Sequence, residues 1–327
     1  MIADLAMLVH DLLAKARATA GDAVGGGGVA AGVPVGVWAG FADLGQGKGL
    51  EMLHRLAEAG VDRVVFTPTN DATKSFWKWQ PARSRILRGM VAAGDLGLDV
   101  WLGPWVRCDP AFMDRVGQEM RALADDGGAC GFELDAEGSW EVTARAMASQ
   151  HRIRVAAAVQ QAVDAFVSHT RASEEIGATV LYWRRPAGNA LIRLPVVTEC
   201  VVQAYSIWLD GTSQKARSTH AAAFQPGTLQ RTAWSNYERF KADHSVSVLG
   251  TGLGWWDQNR EKAPVSLRLP EAVGFRRASE ACLQLGVDRV MGWAGHLWDD
   301  ATAEETDNLE HVLREIKYLT SGGDADG

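Results

Sequence analysis

Positive charge is in short supply: 33 Lys and Arg stand against 40 Asp and Glu, for a formal charge of -7. A surface that follows a phosphate backbone needs clustered positive charge, so nucleic acid is not an expected partner. Cysteine is scarce too. Cys108, Cys130, Cys200 and Cys282 are far apart and form neither the close pairs of a zinc site nor a disulfide framework. They are expected to be reduced and mostly buried. No apolar run reaches the roughly 18 residues of a membrane span, and the opening Met1-Ile2-Ala3-Asp4 lacks the basic start of a secretory signal. The expectation is synthesis in the cytoplasm without a signal peptide, which is compatible with release by lysis or by a specialised secretion machine.

Cofactor signatures are also missing. Gly25 to Gly28 is followed by no Lys-Ser or Lys-Thr and preceded by no strand, so it reads as a linker. Gly250-Thr251-Gly252-Leu253-Gly254 spaces its glycines wrongly for a dinucleotide fingerprint. No cofactor and no metal are expected. The histidines, among them His54, His220, His244 and His296, are scattered and read as surface or core residues, with His296 alone near a strand end.

What is present is the composition of an ordinary folded protein, 47% hydrophobic and 22% charged over 327 residues. Apolar positions at Ile2, Leu5, Leu8, Val9, Leu12 and Leu13 fall on one helical face ahead of the glycine run. A single theme then repeats: a short Val-, Leu- and Trp-rich strand, a polar or glycine-containing loop, an amphipathic helix. Strands are predicted at 35–41, 62–67, 98–106, 129–135, 179–183, 197–207, 246–253 and 289–293, and helices near 47–59, 82–95, 111–125, 153–173, 228–242, 271–285 and 303–319. Ala59-Gly60-Val61-Asp62-Arg63-Val64 and Leu285-Gly286-Val287-Asp288-Arg289-Val290 repeat one phrase, a helix-ending glycine leading into a strand. Such alternation predicts an α/β fold, a (β/α)8 TIM barrel of the kind that needs about 250 residues. The expected organisation is an N-terminal helix and linker over 1–32, the barrel over 33–320 and a flexible tail over 321–327.

In such barrels the chemistry sits at the C-terminal ends of the strands. The fourth strand ends in Gly131-Phe132-Glu133-Leu134-Asp135-Ala136-Glu137-Gly138. A period of two puts Glu133, Asp135 and Glu137 on one face and turns Phe132, Leu134 and Ala136 toward the helices. Alternate Cα atoms are about 6.8 Å apart. Three carboxylates in that line repel, which raises at least one pKa and favours a general acid. The competing reading is a solvated strand end whose acids pair with Arg107 or Arg184. Asp135 and Glu137 also suit the carboxyl separation of about 5 to 5.5 Å that retaining glycosidases use. Magnesium is the other chemical use of clustered acids, although no histidine joins them.

The motif Glu133-Leu134-Asp135-Ala136-Glu137 resembles the fourth-strand acids of family 25 muramidases (lysozymes), Asp-x-Glu, and of family 18 chitinases, Asp-x-Asp-x-Glu, with Glu133 in place of the first Asp. Gln203-Ala204-Tyr205-Ser206 is similar to the sixth strand of these families, and Val290-Met291-Gly292-Trp293 with Asp299-Asp300 to the chitinase eighth strand. Val37 to Asp43 lacks the muramidase first-strand Asp, a place Asp43 would fill from the loop. The resemblance spans about 35 to 319 in element order and implies cleavage with retention, helped by the substrate's acetamido group. It makes Glu137 the proton donor, Asp135 the residue that orients the acetamido group, Tyr205 its hydrogen-bond partner and Glu133 a tuner of Asp135.

Thirteen tryptophans supply flat faces for sugar rings, and Trp105, Trp255, Trp256 and Trp293 lie nearest the expected mouth. Gln203, Asp43 and Asp257 are further candidates for binding sugar. The sequence therefore points to a glycoside hydrolase acting on a β-1,4-linked N-acetylated sugar polymer, peptidoglycan ahead of chitin. The alternatives are a non-catalytic carbohydrate-binding barrel and a metal-dependent barrel enzyme using the same acids.

Overall fold

The computed structural model describes residues 34–40, 47–68, 80–181, 186–203, 245–250 and 288–294, together with Gly32 and positions 313, 314, 316, 317, 320 and 321. Eight parallel strands run in chain order: β1 Val35–Gly40, β2 Arg63–Thr67, β3 Asp99–Leu102, β4 Gly131–Ala136, β5 Glu175–Leu181, β6 Glu199–Gln203, β7 Ser245–Gly250 and β8 Arg289–Ala294. Each pairs with the next, and β8 pairs with β1, so the sheet closes on itself. The helices described are α1 Lys48–Glu58, α2 Gln80–Asp95, α3 Pro110–Gly127, α4 Gly138–His151, α5 Val155–Val167 and α6 Pro186–Leu191. The N-terminal helix and the helices expected at 228–242 and 271–285 lie outside the described residues. Of the last expected helix, 313, 314, 316 and 317 are described and helical.

Local chemistry sets the joints. Gly60, at a φ of 86°, ends α1. Its N–H reaches the Ala57 carbonyl and that of Val61 the Leu56 carbonyl, the paired bonds of a Schellman cap that releases the chain into β2. Asp109 caps α3 by accepting the Phe112 N–H at 2.8 Å, with Pro110 next in the first turn.

Two cores result from the strand alternation. Outward residues such as Val37, Phe66, Leu102, Phe132, Leu134 and Ile176 pack with Leu53, Met90, Leu123 and Phe166 of the helices. Phe132 meets Phe166 edge to face at 5.5 Å. Trp38, Val65, Trp101, Val201 and Met291 are equally buried but stand apart from that cluster. They share the inner face with the buried polar residues Arg63, Thr67, Glu133, Thr179 and Glu199. Close packing inside the ring demands glycine on β4: a Cβ at Gly131 would lie 2.5 Å from the Trp101 ring.

Four sequence expectations are corrected. β3 ends at Leu102 and does not run to Val106: the Gly103 N–H still donates to the Phe66 carbonyl of β2 at 2.8 Å, but Pro104, which has no N–H to give, interrupts the ladder there. β5 begins at Glu175, four residues before the expected start at Thr179, in register with Gly131. The helix expected near 153–173 is α5 and ends at Val167, and ahead of it lies α4, which the sequence reading did not place; Arg152, in the left-handed region at a φ of 55°, separates the two. The inward stripe of α4 is Trp140, Glu141, Ala144 and Ala148, too small and too polar to show as a hydrophobic period. Finally, Cys130 is exposed, whereas Cys108 and Cys200 are buried and all three are free.

Candidate functional site at the end of the fourth strand

β4 carries the acids as the alternation requires, but at three different depths. Glu133 is fully enclosed. Its Oε1 accepts the Thr179 hydroxyl from the neighbouring strand, and its Oε2 has no hydrogen-bond partner of good geometry. Burial pushes its carboxyl up to about 8, and the charge of Glu199 adds to the rise. The Thr179 hydroxyl, the Arg63 guanidinium and the Trp38 indole offset part of it. Glu133 therefore carries a proton at neutral pH.

Asp135 sits one step higher and is half-buried. Its Oδ1 is sealed from solvent without a hydrogen-bond partner. Burial first, and then the charges of Glu137 and Glu133, hold its carboxyl well above the usual carboxylate range. Glu137 is not on the strand. β4 ends at Ala136, and Glu137 is the N-cap residue of α4, half-buried and still extended at φ -88° and ψ -153°. It thus keeps the alternation while standing at the positive end of a helix.

The wall beside Asp135 is the segment after β3. The Asp135 N–H donates to the Pro104 carbonyl at 3.0 Å, and the Val106 N–H donates to the Asp135 carbonyl at 3.2 Å. Between them Trp105 pairs with Asp135 in an isolated parallel bridge. Cys108 N–H donates to the Thr143 hydroxyl of α4 at 2.8 Å, so the segment is held by the strand and the helix that carry the acids. Arg107 forms no ion pair with the acids. Its guanidinium lies 5.3 Å from the Trp105 ring centre and 5.6 Å from that of Phe112.

Of the other expected site residues, Gln203 closes β6, its backbone in register with Leu181 and Leu249. Trp293 is in register with Trp38 on β1. Asp43, Arg184, Tyr205, Trp255, Trp256 and Asp257 lie outside the described residues. Among the described residues no three His, Cys, Asp or Glu side chains gather as metal ligands would.

Below the acids lies a group that the sequence reading passed over. Arg63 of β2 forms an ion pair at 2.5 Å with Glu199 of β6, both nearly fully buried. The guanidinium also lies 3.7 Å from the Trp101 ring centre. Arg63 and Glu199 are the first residues of their strands and share the inward parity; charged residues in a sheet buried on both faces were the available signal.

No family model matches the chain, and no curated protein matches it. Solved structures do. A GH5_18 protein of Bifidobacterium longum subsp. longum in complex with Manβ1-4GlcNAc superposes with a TM-score of 0.54 at 12% identity, over 88% of this chain and 78% of that one. One from Streptomyces cattleya in complex with GlcNAc gives 0.54 at 13%, over 89% and 80%. A GH5-4 broad specificity endoglucanase from Clostridium longisporum gives 0.52 at 11%, over 89% and 97%. The likeness is one of fold. These structures are TIM-barrel enzymes, and the parallel α/β arrangement of the described strands and helices is consistent with that fold. Neither the family 25 muramidases nor the family 18 chitinases, which the fourth-strand motif resembles, are supported by these comparisons.

Proposed function

We propose that the chain is a glycoside hydrolase that cleaves a β-linked polymer of N-acetylated sugars, with Asp135 and Glu137 as its catalytic pair. One observation carries the reading: the Asp135 carboxyl, one oxygen sealed and unpartnered and held above the usual carboxylate range by burial and by the charges of Glu137 and Glu133, stands at the C-terminal end of β4 with Glu137 just beyond it. In a complete (β/α)8 barrel that end is where substrate is met.

The reading needs one proton on the pair to give to the leaving group. Glu137 delivers that proton to the leaving glycosidic oxygen as the bond from C1 to that oxygen breaks. Asp135, ionised behind it, faces the positive charge that develops on the sugar and its acetamido group. The acetamido oxygen bonds to C1 from the opposite face as the leaving oxygen departs; water, giving its proton to Glu137, then displaces that oxygen at C1 from the leaving group's face, which restores the acetamido group with net retention. Trp105 offers a stacking face for a sugar ring. Tyr205, Gln203, Asp43, Trp255, Trp256, Asp257 and Trp293 complete the binding set in this reading.

The fourth-strand motif favours peptidoglycan over chitin, while the sugars bound in the GH5_18 neighbours add mannosyl-N-acetylglucosamine to the substrates worth offering. Purified peptidoglycan, chitin oligomers and Manβ1-4GlcNAc are to be incubated with the protein and new reducing ends identified by mass spectrometry. Cleavage of at least one, lost in Glu137→Gln with binding kept, is the expected result; cleavage of none overturns the reading. A second reading, a sugar-binding barrel without turnover, is favoured by one fact. Among the described strands only β4 brings acids to its C-terminal end, the others closing on Gly40, Thr67, Leu102, Leu181, Gln203, Gly250 and Ala294. Binding without cleavage by the unaltered protein would establish it.

A further inference from the structure

The Arg63–Glu199 pair crosses the ring from β2 to β6, and it lies against the lowest of the fourth-strand acids. Gly177 of β5 marks the junction: a Cβ there would stand 3.4 Å from Glu133 Cγ, 3.4 Å from Trp101 Cζ3 and 3.6 Å from Glu199 Cβ. Three side chains, Trp101, Glu133 and Glu199, thus meet around one glycine, and Arg63 joins them through Glu199 and the Trp101 face. The guanidinium is committed to Glu199 and to the Trp101 face. Glu133, which feels the charge of Arg63 without pairing with it, takes the neutral Thr179 hydroxyl on Oε1, and its Oε2 has no hydrogen-bond partner of good geometry.

A buried carboxyl beside a buried guanidinium ordinarily pairs with it, since an uncompensated charge is costly in a poorly solvated interior. Here another carboxylate has taken the cation. We propose that Glu199 and Arg63 are positioning residues for the site above: Glu199 withholds the guanidinium from Glu133, so that the fourth-strand ladder is neutralised by protons and not by a counter-ion. An ionised Glu133 would place a fixed negative charge directly beneath Asp135, whereas a protonated one leaves Asp135 to respond to Glu137 and to substrate.

The groups that face Glu133 are Arg63 of β2, Glu199 of β6, Asp135 of its own strand, Thr179 of β5 and the Trp38 indole of β1. Removing Glu199 alone frees the cation; removing Glu199 and Arg63 together does not. The inference depends on the hydrolase reading for its catalytic consequence alone, and its test reads the proton itself, with or without turnover.

The measurement is infrared titration of the full-length protein, with the protonated carboxyl band of Glu133 assigned by its loss in Glu133→Gln. In the unaltered protein the band persists at neutral pH. In Glu199→Gln its midpoint falls by about 1 to 3 pH units, the range for a carboxyl gaining an adjacent arginine, and in Arg63→Met/Glu199→Met it returns close to that of the unaltered protein. An unchanged midpoint in Glu199→Gln, or an equal fall in the double variant, overturns the inference. If Glu199→Gln does not fold, Glu199→Met, which also removes the carboxylate, takes its place; a midpoint that does not fall there overturns it equally. Failure to cleave any polymer would sink the hydrolase reading and leave these midpoints to be judged separately.

Discussion

Trp105 is paired through its backbone with Asp135, although two residues separate it from the end of β3 at Leu102. The bridge makes the indole a fixture of the site. Replacing Trp105 with Ala is expected to weaken sugar binding by about two- to twelve-fold, the equivalent of roughly 0.5 to 1.5 kcal/mol of aromatic contact. The bridge itself is made by the backbone and remains. Isothermal calorimetry with a chitin oligomer checks this, and unchanged affinity would assign the indole to packing with Arg107.

Glu137→Gln and Asp135→Asn both remove a proton-carrying acid, and each is expected to lower kcat by about a hundred- to ten-thousand-fold. Affinity for an uncleaved oligomer should change little. A loss of binding that parallels the loss of turnover would mean that the acids hold the sugar and do not perform the chemistry.

Glu133 makes stability depend on pH in a defined direction. Its carboxyl is pushed up to about 8 in the folded protein, while in the unfolded chain it titrates at about 4.3. Between those values the native state holds a proton that the unfolded state has lost, so stability falls as pH rises through that window. The slope is at most about 1.4 kcal/mol per pH unit for one group. Asp135, also raised, adds a slope of the same sign. Urea unfolding from pH 5 to 8 should therefore show declining stability and a flatter profile in Glu133→Gln; equal slopes in the two proteins would contradict it.

Arg63→Met leaves the buried Glu199 carboxylate without its guanidinium, and is expected to cost about 3 to 5 kcal/mol. Arg63→Met/Glu199→Met removes both charges and should range from neutral to more stable by about 1 to 4 kcal/mol. Thermal and denaturant unfolding read both variants.

The strand positions were largely legible in the sequence because an inward and outward face imposes a period of two, and Phe132, Leu134 and Ala136 obey it on the helix side. The fourth-strand acids were legible for the same reason. Helix α4 was not, since its buried stripe is made of alanines, a tryptophan and Glu141. That carboxylate faces inward because it accepts the Ala187 and Gly188 N–H groups at the start of α6. Nor did the sequence reveal that Glu137 passes from strand to helix cap, or that Arg63 and Glu199, 136 residues apart, are partners. Pairings of that kind are set by ring closure and leave no local trace. The competing reading, in which the acids pair with Arg107 or Arg184, finds no support at Arg107, whose guanidinium lies over the Trp105 ring; Arg184 lies outside the described residues.

Gly131 and Trp101 are, finally, a single choice made at two positions. With the indole in place a β-carbon at 131 has no room, at 2.5 Å from the ring, and the indole is also the face on which Arg63 rests. Across related sequences the two sites should covary: a larger residue at 131 should accompany a smaller one at 101, and where that exchange has occurred the arginine of β2 should have lost its platform. A sequence survey can thus report on the electrostatics beneath the acids without any substitution at an acid.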